Sequence, residues 1–129
     1  MDGMAYLNGA LVPLAQARVS PMDRGYLFGD GAYEVIPVYS RQPFRLPQHL
    51  ARLGNTLAAL RIANPHSEQA WTGIVGQVIA ANPWDDQGVY LQVTRGVEGR
   101  RRQAFPEQPV APTVFLFAEA LAAPAPERR

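Results

Sequence analysis

The stretch Asp23 to Ile36, DRGYLFGDGAYEVI, constrains this chain more than any other. Gly25, Gly29 and Gly31 fall close together and then give way to an apolar run. Glycine permits positive φ and close approach of one backbone to another, and Asp30-Gly31 signals a turn. From Ala32 to Tyr39 the pattern is that of a strand, with Tyr33, Glu34 and Tyr39 set among β-branched residues. A polar turn therefore delivers a phenol and a carboxylate to the first residues of a strand, as rigid scaffolds often present binding groups. The same pattern also serves a plain hairpin with a surface Tyr and Glu, and composition does not separate the two.

The rest of the chain surrounds that strand with more of the same kind. Asn8-Gly9 between Met4–Leu7 and Ala10–Val12 is a strong hairpin signal. Pro13 to Met22 reads as a loop with a turn at Ser20-Pro21. Pro37 offers no ladder donor, so its strand needs an edge, a bulge or an N–H direction without a partner at that point. Pro47 suits the first position of a helix. Leu50, Leu53, Leu57 and Leu60 then recur at helical spacing until Asn64-Pro65. Within that helix His49 reads as a surface or packing residue. Ser67 is a candidate N-cap for a second helix, whose apolar face is Trp71, Ile74, Val75, Val78 and Ile79. Gly88–Thr94 and Thr113–Ala118 alternate with period two and read as strands. The expected fold is α+β: a mostly antiparallel sheet of five or six strands with two helices packed on one side. Length sets one domain, spanning residues 1–118, with the Ala- and Pro-rich segment Glu119–Arg129 as a linker or loose tail.

Charge and residue usage exclude several function classes. The formal net charge of +1 gives no basis for nucleic acid or an anionic membrane as partner. No cysteine is present, so there is no disulfide framework or thiol chemistry. No apolar run approaches the length of a membrane span, and no signal-peptide pattern opens the sequence. The expectation is a cytoplasmic, soluble protein without a metal site. All twelve basic residues are arginine, and there is no lysine. Three of them, Arg100, Arg101 and Arg102, are consecutive in a Gly-containing loop. Such a run is either a solvated basic patch or a trap for carboxylates, which a guanidinium binds in bidentate fashion.

Three separated segments, DRGYLFGDGAYEV, PFRLPQHLARL and QVTRG, resemble the N-terminal half of fold-type IV pyridoxal-phosphate enzymes, with the wording of the D-amino acid aminotransferases. The similarity runs in order over about residues 4 to 118, and agreement at three places is far more specific than one short motif. The resemblance implies an enzyme that moves an amino group between a D-amino acid such as D-alanine and a 2-oxo acid, on pyridoxal 5'-phosphate, as a homodimer. It implies that Arg52 binds the cofactor phosphate and that Glu34 sits near the cofactor. It further implies that Tyr33, Arg100 and Arg102 hold the substrate carboxylate, the two arginines coming from a neighbouring subunit. Arg102 stands where that family carries histidine, and Ala104 looks like an extra residue before Phe105-Pro106. Aminodeoxychorismate lyases and branched-chain aminotransferases are similar alternatives, and a non-enzymatic assembly domain is a third. The family holds its cofactor on a lysine amine, which arginine cannot replace because it stays protonated. The chain is therefore expected to lack a catalytic residue of its own, to carry no covalently bound cofactor and to be incompetent alone. Its C-terminal catalytic domain is expected to be absent.

Overall fold

The computed structural model describes residues 3–106 and 108–122. In chain order the elements are β1 (Met4–Leu7), β2 (Ala10–Pro13), a 3-10 turn at Leu14–Gln16, α1 (Arg24–Phe28), β3 (Gly31–Tyr39), β4 (Gln42–Pro43), α2 (Leu46–Ala59), α3 (Glu68–Ala81), β5 (Gln87–Thr94) and β6 (Thr113–Ala120). The strands form one six-stranded sheet in the order β2-β1-β6-β5-β3-β4, and every pairing in it is antiparallel. The α+β expectation is met.

Alternation along the central strands separates two faces. On β3, Ala32, Glu34, Ile36 and Val38 are buried, while Tyr33, Val35 and Tyr39 are exposed. Val89, Leu91 and Val93 of β5 and Val114, Leu116 and Ala118 of β6 join the buried side. There they form one core with Leu46, Leu50, Leu53 and Leu57 of α2 and Trp71, Ile74, Val75, Val78 and Ile79 of α3. Both helices therefore cover the same face. The opposite face carries a run of rings: Tyr33 and Tyr90 stack with centroids 5.6 Å apart, Tyr90 meets Phe117 at 5.3 Å, and Phe117 meets Phe115 at 5.6 Å.

Local chemistry accounts for the turns. Asn8 and Gly9 both take positive φ in the β1–β2 hairpin, as a two-residue turn that matches strand twist requires. Pro37 pairs with Gly88 on β5, and its carbonyl accepts from the Phe44 N–H on the β4 side. Its missing donor faces that same side, where β4 is only two residues long. Helix α2 begins at Leu46, one residue ahead of the expected start, with Pro47 in its first turn. Ser67 caps α3 by accepting from the Ala70 N–H.

Two expectations are corrected. The segment after Asp23 is not a bare turn but a short helix, because Asp23 accepts from the Gly25 N–H and Gly29 closes the far end at φ 64°. Gly31 is needed for a different reason: a Cβ there would lie 2.6 Å from the Val93 carbonyl oxygen. The last strand runs to Ala120, which pairs with Gln87, so Glu119 and Ala120 belong to the sheet and not to a linker. Of the rest of the expected linker, Leu121 donates its N–H to the Asp86 carbonyl at 3.1 Å, and residues 123–129 lie outside the described residues.

Candidate functional site

The sequence-selected residues fall into two clusters, one along β3 and α2 and one in the loop after β5. In the first, Glu34 points into the core face and is 4% exposed. A buried carboxylate requires partners, and α2 supplies two from positions three apart, which share one helix face. Arg52 donates from Nε to Glu34 Oε2 at 2.8 Å and from Nη2 to Oε1 at 2.7 Å, while His49 Nδ1 lies 2.8 Å from Oε1. Burial pushes the Glu34 carboxyl up, but the hydrogen bonds from Arg52 and His49 outweigh it and hold the group below its ordinary value. Glu34 in turn raises the Arg52 guanidinium above its usual value.

The Arg52 side chain remains 67% exposed, with its direction fixed by the Glu34 fork. No hydrogen bond engages its Nη1 among the described residues. Arg52 stands in the middle of α2, not near its start, so the helix N-terminus adds nothing to an anion bound there. Tyr33, the preceding residue on β3, projects to the opposite face of the sheet and is 64% exposed. His49 is more than the surface or packing residue expected of it, because it shares the Glu34 carboxylate with Arg52. Its three-residue spacing from Arg52 was the available signal that both could reach one partner.

The second cluster surrounds Asp30, three residues before Tyr33 and so roughly 10 Å along the strand from it. Asp30 Oδ2 accepts from Arg24 Nε at 3.0 Å and from Arg95 Nε at 2.6 Å, and Oδ1 accepts from Arg95 Nη2 at 3.3 Å. Both arginines are buried. Burial raises the Asp30 carboxyl, and the bonds from Arg95 and Arg24 more than reverse this, leaving it below the ordinary carboxylate value. Arg95 also donates to the Leu60 and Arg61 carbonyls at the end of α2, at 2.6 and 3.0 Å. Arg24 continues to the loop, donating to the Arg102 carbonyl at 2.7 Å.

Arg102 is held by Glu98, which accepts from its Nε at 2.8 Å, and this bond lowers the Glu98 carboxyl below its usual value. Arg101 lies over the Phe28 ring, 5.1 Å from its centroid. Arg100 is exposed, and no hydrogen bond of its guanidinium is found among the described residues. Arg100 and Arg102 line a shallow cavity with Glu98, Pro109 and Ala111, and neither Tyr33 nor Arg52 is in its wall. The structure thus brings Glu34, His49 and Arg52 together, puts Tyr33 on the opposite face of the sheet against Tyr90, and sets Arg100 and Arg102 apart at the loop. Among the described residues no cluster of metal-ligating side chains occurs, and no helix is long and apolar enough to cross a membrane.

Known proteins resemble the chain in sequence and in architecture. Residues 31–129 match the model of the amino-transferase class IV family. D-alanine aminotransferase of Staphylococcus haemolyticus is 32% identical over 114 residues, which cover 88% of this chain and 40% of that protein. The Bacillus licheniformis D-alanine aminotransferase is 41% identical over 96 residues, covering 74% of this chain and 34% of its own length. The chain thus spans well under half the length of these relatives. Among solved structures, the T.th. branched-chain amino acid aminotransferase with pyridoxamine 5'-phosphate superposes with a TM-score of 0.87 at 22% identity, over 100% of this chain and 43% of that one. The Escherichia coli branched-chain enzyme does so with a TM-score of 0.85 at 19% identity, over 94% of this chain and 42% of its own. At these identities the superpositions speak for the fold. The chain belongs to the amino-transferase class IV family and has the fold of its N-terminal domain.

Proposed function

We propose that this chain is the part of a pyridoxal-phosphate-dependent D-amino acid transaminase that grips the anionic ends of cofactor and substrate. The observation that carries this is the Glu34–Arg52 fork: a buried carboxylate aims an exposed guanidinium and leaves Nη1 open to solvent. A phosphate takes bidentate donation from such a group. Pyridoxal phosphate, when bound, supplies the electron sink for cleavage at the α-carbon. The residues here fit its phosphate end and not its covalent end, since the chain contains no lysine. The reactive amine therefore belongs to polypeptide other than these 129 residues, and the chain is not competent by itself.

In this reading Arg52 holds the phosphate, with Glu34 and His49 fixing its orientation. Tyr33 lines the substrate side with its hydroxyl. Arg100 binds the substrate carboxylate, and Arg102, bonded to Glu98, braces the loop. The family resemblance implies that a second copy of the chain contributes this loop, so the working unit in this reading is a homodimer, which the absence of Tyr33 and Arg52 from the Arg100 cavity wall supports. Fixing the carboxylate determines which face of the α-carbon meets the base, and so selects the D or the L substrate. The D-alanine aminotransferase relatives, at 32% and 41% identity, favour the D side. A branched-chain L-amino acid reading is the second, because the superposable structures are branched-chain aminotransferases.

The test is to mix the folded chain with the lysine-bearing remainder of a D-alanine aminotransferase relative and assay amino transfer to a 2-oxo acid. The mixture is expected to transaminate D-alanine and not L-leucine, and Arg52→Ala should weaken cofactor binding by about tenfold or more, the scale of a lost charge-assisted hydrogen bond. Transfer from L-leucine alone would favour the branched-chain reading, and no transfer from either by a folded mixture would contradict both.

A further inference from the structure

We infer that Arg24 is a positioning residue: a buried guanidinium that sets the backbone path of the arginine loop and thereby where Arg100 projects. Only the consequence for Arg100 rests on the carboxylate reading given above. Arg24 is 3% exposed, and an arginine is buried at that level only when its donors are used. Its Nε is spent on Asp30 at 3.0 Å. Its other donors go to the loop: Nη1 to the Arg102 carbonyl at 2.7 Å and towards Glu98 Oε1 at 3.5 Å, and Nη2 to the Gln103 carbonyl at 3.4 Å. The contacts at Arg102 and Gln103 are to main-chain oxygens, so they fix the course of the loop whatever side chains it carries.

The loop is otherwise held by side-chain contacts, the Glu98–Arg102 bonds and the Phe105 ring against Arg61 and Arg95, which do not engage its main chain at Arg102 and Gln103. Between the end of β5 at Thr94 and the start of β6 at Thr113, its regular pairing among the described residues is the single bridge between Val97 and Asp23. The direction of the Arg24 fork is set from behind. Asp30 receives Arg24 on one side and Arg95 on the other, and Arg95 is fastened to the Leu60 and Arg61 carbonyls at the end of α2. The helix bearing Arg52 and the loop bearing Arg100 are thus braced through one carboxylate. The Phe28 ring lies beneath both the Arg24 and the Arg101 guanidinium, at 4.9 and 5.1 Å, which adds a cation–π contact on the same side.

Limited trypsin digestion of the folded chain, with the products resolved by mass, tests this. Arg24→Lys keeps the charge beside Asp30 but cannot span two loop carbonyls. Cleavage at Arg100–Arg102 is expected to rise about tenfold, the equivalent of one lost charge-assisted hydrogen bond, while cleavage at Arg18 and Arg41 stays within about twofold. Asp30→Asn, which removes the group that aims the fork, should give the same selective pattern. Unchanged cleavage in Arg24→Lys would overturn the inference, and so would a uniform rise at every site, because Arg24 would then support only the whole fold. A larger selective rise in Glu98→Gln than in Arg24→Lys would also overturn it, by placing control of the loop in the Glu98–Arg102 pair. A second readout follows the side-chain Nε–H signal of Arg100 by NMR during titration with pyruvate. A shift in the wild type that is lost in Arg24→Lys ties the loop's path to carboxylate binding. Selective cleavage with no pyruvate response in the wild type would leave the positioning role standing and count against the carboxylate reading.

Discussion

Glu34 and Asp30 do related work: each is a carboxylate that aims arginines, and each lies below its ordinary titration range for that reason. The unfolded chain binds protons on both groups at higher pH than the folded chain does. The stability they contribute is therefore fully present above the ordinary carboxylate range, near pH 4, and is lost as pH falls through their depressed folded values. Glu34→Gln should cost about 1–2 kcal/mol at neutral pH, the low end for charge-assisted bonds because Arg52 is well solvated. It should also flatten the acid limb of the stability profile. Urea unfolding from pH 7 to pH 3 checks both, and an unchanged acid limb in the variant would refute the assignment. At this scale the sequence was only partly legible. Tyr33, Glu34 and Arg52 could be singled out by their motif, and Glu34 and Arg52 meet as partners. The burial of Arg24 and Arg95 is not legible, because Arg24 sits in a turn-rich stretch and Arg95 at a strand end before Gly96, both of which read as surface, and only the tertiary approach of β5 to the Asp30 turn encloses them.

The elements were legible where one local rule dominated. Leucines at helical spacing put Leu50, Leu53 and Leu57 of α2 in the core, with Leu46 joining them from the first turn and Leu60, at the C-cap, only partly buried. Leu53→Ala should therefore cost about 2–5 kcal/mol, and loss of the Ser67 cap in Ser67→Ala about 1 kcal/mol. Both are measurable by thermal or urea unfolding, and a cost for Leu53→Ala below that for Ser67→Ala would contradict the packing described. Helix α1 has no clear helical signal, because Gly25 within it lowers helix propensity and Gly29 ends it after five residues. Asp23 compensates, capping the helix while its second oxygen accepts from Thr113 Oγ1 at 2.6 Å. That bond joins residues 90 positions apart, which no local pattern reports. The end of β6 is hidden for a similar reason: Ala120 reads as linker composition but finds a ladder partner in Gln87.

For the molecule as a whole, α2 and α3 cover one sheet face, while among the described residues the other is met by a helix only where the short α1 packs on Thr94. Tyr33, Val35 and Tyr39 are each more than half exposed on that face, beside the rings of Tyr90, Phe115 and Phe117. An aromatic surface of this kind marks an interaction site. Sedimentation velocity over rising concentration should show reversible self-association, weakened by Tyr33→Ser with Tyr39→Ser, and a strictly monomeric chain at the highest concentration would contradict this. In the proposed reading, Arg52 grips the cofactor phosphate and the lysine that holds the cofactor belongs to other polypeptide. Phosphorus NMR of pyridoxamine 5'-phosphate, which has no aldehyde and needs no amine, measures that most directly. Titration with the wild-type chain should shift the phosphate signal saturably and Arg52→Ala should abolish the shift, whereas no shift with the folded wild type, or an equal one with the variant, would contradict the account.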